Sequence, residues 1–172
     1  MSPVPARARP HRKPAAAYHH GDLRASMIDA AVTIAGRDGV AAIQLRALAR
    51  RLGVSPAAPF RHFADRAALL AAIAEVGFTL RAAALARHAT PRAQAIAAVR
   101  FAVEEPGFFR VMSAPEVLAD PRLAAALAAD ALPLPLRCAA LGLATLLASG
   151  QLGEVSADGA ARLAADVLGA GG

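Results

Sequence analysis

Gln44-Leu45-Arg46-Ala47-Leu48-Ala49-Arg50-Arg51-Leu52-Gly53-Val54-Ser55-Pro56, continued by Ala57-Ala58-Pro59-Phe60-Arg61-His62-Phe63, is the stretch that decides the fold. Leu45, Leu48, Ala49 and Leu52 recur at helical spacing and make one apolar face. Gly53 ends that helix, because it takes a tight turn that a Cβ would resist. Ser55 then offers an N-cap oxygen, and Pro56 suits a first helical turn. A short third helix is expected to run to about Phe63. Ala49 is small enough for two steeply crossed helices to approach there, and Val54, Phe60 and Phe63 are expected to fill the wedge between them. This is the pattern of a helix-turn-helix, whose second helix can enter a DNA major groove. The polar residues left outside are Gln44, Arg46, Arg50, Arg51, Ser55, Arg61, His62 and Arg66. Asp65 is the only acid among them.

Helices extend outward on both sides of this stretch. Leu23, Met27, Ala30, Ala31 and Ile34 form one face of a helix from Asp22 to Arg37. Asp22 stands at its positive dipole end, and Gly39 is the expected left-handed stop. Downstream, Asp65 caps a helix with Leu69, Leu70, Ile73, Val76 and Leu80 that is expected to reach about Arg87. Further helices start at Thr90-Pro91, Pro106 and Pro121. An apolar helix spans Leu136 to Ser149, and a last one runs from the N-cap Ser156 to Leu168 with Leu163 and Val167 inward.

The chain of 172 residues is 56% hydrophobic, much of it alanine, and only 4% aromatic. Such a core is thin-layered and close-packed, and too poor in β-branched and aromatic residues for a sizeable sheet. The fold class is therefore all-α. One cysteine, Cys138, excludes an intramolecular disulfide framework and a multi-cysteine zinc site. Set among Leu and Ala, it reads as inert.

Charge is unevenly placed. Residues 1–66 carry eleven Arg/Lys against four Asp/Glu, whereas residues 67–172 carry eight against nine. A basic front suits a polyanion, either nucleic acid or an anionic membrane surface; the Arg-rich usage of a GC-rich genome is the other source of such charge. Residues 1–17 mix Arg7, Arg9, Arg12 and Lys13 with four prolines and read as a flexible basic arm. This arm either follows DNA or contributes nothing. It has no apolar run of secretory-signal length. The uncharged stretch Cys138–Gly153 is short for a membrane span and broken by Gly142 and Gly150. A cytoplasmic protein without membrane attachment is expected.

Three blocks resemble the TetR/AcrR family of bacterial transcriptional regulators. They are Tyr18-His19-His20-Gly21-Asp22-Leu23-Arg24, Leu45 to Pro56, and Phe60-Arg61-His62-Phe63-Ala64-Asp65-Arg66-Ala67-Ala68-Leu69-Leu70. The likeness covers residues 18 to about 78. Residues 96–172 are more weakly similar to the WHG-like C-terminal domain of one subset, through Val99-Arg100-Phe101-Ala102 with Pro106, and Gly142-Leu143-Ala144 before Gly150. Leu141 and Arg137 stand where that subset often has His and Trp.

Behind the basic arm (1–17), the resemblance implies a three-helix DNA-binding domain (18–66) and a helical effector and dimerisation domain (67–172). It places Gln44 where Ser or Thr usually bonds a phosphate, and Arg46 at a base or phosphate contact. Phe60 takes the place of a phosphate-binding Tyr. His62 and Arg66 match backbone contacts, and Arg61 faces the groove. Pro59 leaves Ala57 and Ala58 near the helix start, able to touch thymine methyls at most. Its missing N–H falls opposite the Ser55 carbonyl, so an irregular first turn is expected.

In the rear domain Phe78, Phe101, Phe108, Phe109 and Met112 are candidates to line an effector cavity, or else ordinary core. Leu141, Leu143, Leu146, Leu163 and Val167 are candidates for a four-helix dimer interface, the alternative being that these helices cover their own core. The implied partners are double-stranded DNA, a second copy and an unidentified small-molecule effector, with no cofactor or metal. The function expected is a ligand-responsive homodimeric regulator, most simply a repressor. The competing class is a DNA-binding helical module without an effector, nucleoid-associated or partner-recruiting. Catalysis has little support: His19-His20-Asp22 is a poor metal set, His62 and Asp65 have no third partner, and no phosphate-cradling Gly loop occurs.

Overall fold

The computed structural model describes residues 22–129 and 132–169. The basic arm and Tyr18-His19-His20-Gly21 lie outside the described residues. Among those described the chain forms nine α-helices and no strand. Helix α1 (Leu23–Asp38) begins where Asp22 Oδ1 accepts the Ala25 N–H at 3.0 Å. Its buried face is Met27, Ile28, Ala31 and Ala35. Gly39 does end it at positive φ (86°), but with ψ of 166°, so the stop is extended and not left-handed helical. A 3-10 turn, Val40–Ala42, follows where the sequence pattern gave no element.

Helix α2 (Leu45–Leu52) closes as expected at Gly53, in the left-handed region at φ 69° and ψ 25°. The Val54 N–H reaches Ala49 O and the Gly53 N–H reaches Arg50 O, which satisfies two end carbonyls at once. The expected third α-helix does not form. Ala58–Arg61 is a single 3-10 turn. The Ser55 carbonyl accepts the Ala58 N–H three residues on, and Pro59, one place further, has no N–H with which to continue an α-helical ladder. The Ser55 side chain therefore caps no helix. Helix α3 (Arg66–Leu85) starts under Asp65, whose Oδ1 accepts the Ala68 N–H at 2.8 Å, and it ends two residues before Arg87.

Prolines open the next four helices: α4 (Pro91–Glu104), α5 (Pro106–Met112), α6 (Pro115–Leu118) and α7 (Pro121–Ala128). A proline at the first turn forfeits only a donor that has no intrahelical partner anyway. The one-turn α6 had no counterpart in the sequence reading. Helices α8 (Leu134–Ala148) and α9 (Ala157–Gly169) complete the chain, and the Ser156 hydroxyl accepts the Gly159 N–H as expected.

The main core runs straight through the boundary expected at residue 66. Met27, Ala31, Leu48, Phe63, Leu69 and Ile73 share it with Phe101, Phe108, Val111 and Met112. Helix α1 lies so close on α5 that a Cβ on Gly107 would run into the Val32 carbonyl oxygen. Helix α4 organises a second core with α8 and α9, built on Ala95, Val99, Leu143, Leu147, Ala160 and Ala164. Helix α3 has the length and mean hydropathy (1.7) of a membrane span, but its Leu69, Leu70, Ile73 and Gly77 are buried in the main core.

The five candidate cavity residues divide between two apolar clusters. Phe101, Phe108 and Met112 are main core with Phe78 packed against it, and Phe109 packs with Ala102 and Ala144. A Cβ on Gly77 would meet Met112 Sδ at 2.6 Å, so Met112 fills the gap that faces α3. Of the candidate interface residues, Leu143 is buried within the chain and Leu163 half-buried, whereas Leu141, Leu146 and Val167 are exposed. Cys138 is exposed on α8, not enclosed by its Leu and Ala neighbours.

Candidate nucleic-acid interface

The exposed surface around Gly53 is basic. Arg46 and Arg50, four residues apart on α2, share one outward face, with Gln44 exposed at its N-terminal end. Gln44 makes no capping bond, so its amide stays available. Ser55, Ala57, Arg61 and His62 are exposed on the following segment and Ala58 is half-buried. Arg51 lies toward the end of α1, where its charge, with that of Arg37, acts on Asp38. The hydrogen bond from Arg37 is the main cause that holds the Asp38 carboxyl below the ordinary carboxylate range.

Phe60, expected in the wedge, is exposed, and the buried place beside Phe63 is taken by Pro59. Pro59 is fully buried, and its carbonyl accepts the N–H groups of His62 and Phe63. Phe63 fills the wedge at 3% exposure, whereas Phe60 is 46% exposed. A 3-10 turn has three residues per turn, so it rotates the side chains after Pro59 away from their α-helical directions. The Phe60 ring is thereby presented beside Arg61 and His62. Arg24, at the start of α1, sits 5.3 Å from the Phe63 ring centroid. This cation–π contact ties the first helix to the exit of the turn. Nothing in the helical periodicity signals it.

Arg66, expected at a DNA-backbone contact, makes three bonds within the chain. Its Nε donates to Ile43 O, one terminal nitrogen to Val40 O and the other to Glu116 Oε1, each at 3.0 Å. All three nitrogens are engaged inside the chain. Arg66 fastens the Val40–Ala42 turn and the entrance of α2 to α3 and α6, beneath the basic face. Its pairing holds Glu116 below the usual carboxylate range, second to a backbone hydrogen bond of Glu116 itself.

A second arginine escaped the sequence reading. Arg110 on α5 donates from one terminal nitrogen to Ala35 O and Gly36 O at the end of α1, at 3.1 and 2.8 Å. The other nitrogen donates to Ala148 O at the end of α8, at 2.8 Å. One guanidinium thus joins the C-terminal ends of two helices, where the dipole is negative; Ala35 O also accepts the Gly39 N–H. The available signal was a lone charge within the apolar run Phe108 to Met112.

Residues 27–73 match the family described as bacterial regulatory proteins, tetR family. Among solved structures, a protein of unknown function from Rhodococcus sp. RHA1 is 34% identical, with a TM-score of 0.55 over 90% of this chain and 97% of that one. A bacterial regulatory protein in the tetR family from Rhodococcus RHA1 is 22% identical, with a TM-score of 0.61 over 84% and 94%. A transcriptional regulator from the same organism is 19% identical, with a TM-score of 0.60 over 87% and 95%. The last two share the fold. No curated protein matches the sequence.

Proposed function

Because the chain belongs to the TetR family of bacterial regulatory proteins and carries its helix-turn-helix DNA-binding domain, we propose that it acts as a cytoplasmic homodimeric repressor that releases a palindromic operator on binding a small molecule. The observation that carries this reading is the basic outward face made by Gln44, Arg46, Arg50, Arg61 and His62 around the Gly53 turn. Arg46 and Arg50 suit phosphates. Arg61 suits a guanine edge, where a bidentate pair discriminates by ~1–3 kcal/mol. Ser55, Ala57 and Ala58 lie on the same segment and can add close, weakly discriminating contacts. Phe60 supplies ring surface but no donor. Two heads would need to lie roughly 34–36 Å apart to reach successive major grooves.

Pairing through α8 supports that geometry. Leu134, Cys138, Leu141, Gly142, Thr145, Leu146 and Ser149 form an uncharged outward stripe along it. The outward face of α9 instead carries Asp158, Arg162 and Asp166 beside Val167. The interface is therefore centred on Leu141 and Leu146, with Val167 at its edge and Leu143 and Leu163 as supports beneath. A ligand acts only through different affinity for the DNA-bound and free arrangements. The continuous core between α1, α3 and α5 supplies a path by which such a preference reaches the head.

Fluorescence anisotropy tests the reading, with the duplex upstream of the protein's own gene and a scrambled duplex, alongside light scattering of the free protein. Tighter binding of the first duplex by a dimer is expected. A monomer that ignores both duplexes at low salt would sink it.

A further inference from the structure

Two clefts meet at Arg110. Both have Arg110, Ala148 and Ser149 in their walls. One, of about 530 Å³, is bordered by Gly36 and Pro106 and also carries Glu154. The other, of about 420 Å³, lies against the Val40–Ala42 turn and is walled by Val40, Ala41, Phe109, Ser113 and Ala114. Both volumes are in the range of small-molecule sites, about 300–1,000 Å³.

The second cleft is chemically matched to an anion with an apolar body. Its cation, Arg110, is half-buried and holds only neutral carbonyls; among the described residues no carboxylate pairs with it. A guanidinium forms stronger, bidentate bonds with a carboxylate than with carbonyls. The one acid in that wall, Glu116, is already engaged by Arg66. The first cleft is less suited, because Glu154 there repels an anion. Ser113 in the second wall has a buried hydroxyl without any hydrogen-bond partner, the only such side chain among the described residues. A buried polar group left in that state is costly, so a ligand polar atom that reached it would be favoured.

We propose that the cleft between the Val40–Ala42 turn and α5 binds a small monocarboxylate with an apolar body, whose carboxylate draws the Arg110 guanidinium from the ends of α1 and α8. The apolar part lies against Val40, Ala41 and Phe109. Loss of the Arg110 bridge frees the C-terminal end of α1 from α8, and the occupied cleft presses on the turn that leads into α2. This deepens the ligand-responsive reading above and rests on it for its consequence at DNA, but the binding event stands without DNA.

The test uses the full chain with hexanoate, octanoate and benzoate, and with the corresponding alcohols as uncharged counterparts, read by calorimetric titration and thermal melting without DNA. At least one carboxylate is expected to bind saturably and raise the melting temperature, while its alcohol binds at least tenfold more weakly. Arg110→Gln should weaken the carboxylate at least tenfold, with Arg110→Lys in between. Ala41→Trp, which fills the cleft from an exposed position and leaves Arg110 in place, should abolish binding without lowering the unliganded melting point. The proposal is overturned if no carboxylate binds, if acid and alcohol bind alike, or if binding survives Ala41→Trp. Operator anisotropy of the unliganded protein is measured separately. An intact operator complex alongside absent carboxylate binding would condemn this site and leave the DNA reading standing.

Discussion

Arg66 and Glu116, fifty residues apart, meet in an ion pair at 3.0 Å while the same guanidinium holds the carbonyls of Val40 and Ile43. Arg66 thus ties together the elements beneath the basic face. The pair is about two-fifths exposed, which screens it, and the two carbonyl bonds are part-buried. Arg66→Ala is expected to cost about 2 kcal/mol, from two charge-assisted bonds discounted for solvent. That lowers the midpoint by about 4–8 °C at this size. Where the variant is fully folded, its DNA salt slope should match that of the native chain. A slope reduced by about one would return Arg66 to the phosphate-binding set.

The same pair gives a pH signature. Glu116 is depressed in the folded state, so its contribution is present above the ordinary carboxylate pKa and fades as pH falls through the lower folded value. Glu116→Gln should therefore flatten the loss of stability of the native chain over that acid window. Denaturant melts from pH 6 down to pH 3 measure it. Parallel curves for the two proteins would remove the pair from the stability account.

Arg61 and Arg46 should separate by role. Arg61→Ala is expected to reduce the preference for operator over scrambled duplex by ~1–3 kcal/mol, with little change in binding to scrambled DNA. Arg46→Ala should weaken both duplexes alike and lower the salt slope by about 0.9. Anisotropy titrations at several salt concentrations read both quantities. Indistinguishable behaviour of the two variants would refute the assignment.

The sequence was informative wherever one residue sets a local conformation. Asp22, Gly53, Asp65 and Ser156 mark element ends where expected, because a cap or a left-handed turn depends on few neighbours. Misreadings arose where the chain chooses between competing positions. Pro59 forced a choice between 3-10 and α geometry, and its outcome turned Phe60 out and Pro59 in. The basic face of the site was legible from residue type and spacing alone. Its supports were not: the bonds of Arg66 and Arg110 span 23 to 75 residues and end on main-chain carbonyls, which leave no pattern in sequence. Of the residues expected to line a cavity, Phe101, Phe108 and Met112 lie in the main core whereas Phe109 borders the cleft at Arg110, a difference that apolar periodicity does not mark.

Phe60 offers a gain of function. Its ring is exposed beside Arg61 and His62, and a Tyr hydroxyl there could bond a phosphate. Phe60→Tyr is expected to tighten binding to any duplex by about tenfold, the worth of one hydrogen bond to a charged acceptor at about 1.5 kcal/mol, with no change in salt slope because no charge is added. Unchanged affinity in anisotropy titrations would place the ring away from the DNA backbone.

Dimerisation should depend on the outward stripe of α8. Leu141→Glu with Leu146→Glu places two charges on a surface that is uncharged in the free chain, and a charge desolvated without a partner is strongly unfavourable. Light scattering should report a monomer with native helical content and at least tenfold weaker operator binding. A Leu143→Glu chain should instead unfold, because Leu143 lies in the core of its own protomer. A dimer that persists in the double variant would move the interface elsewhere.

The closest approach between head and body is also the least tolerant. Gly107 on α5 faces the Val32 carbonyl of α1 across a gap with no room for a Cβ, and Gly36 on α1 lies near the Gly107 backbone in turn, with 3.3 Å from its would-be Cβ to the Gly107 nitrogen. The nearest obstructing atom is the Val32 main-chain oxygen, so a rotamer change of Val32 cannot relieve the clash; only separation of the helices can. Gly107→Ala is therefore expected to cost ~1–3 kcal/mol, the usual range for overpacking, although alanine is the better helix former. Separation would also stretch the Arg110 bonds to Ala35 and Gly36, which cross the same contact. The variant should therefore loosen the C-terminal turn of α1 and give its amides faster hydrogen exchange than the α4–α8–α9 core. Thermal melting and residue-resolved exchange check this together. Uniform acceleration across both cores, or a stabilised Gly107→Ala chain, would show that α1 and α5 are not held by this contact.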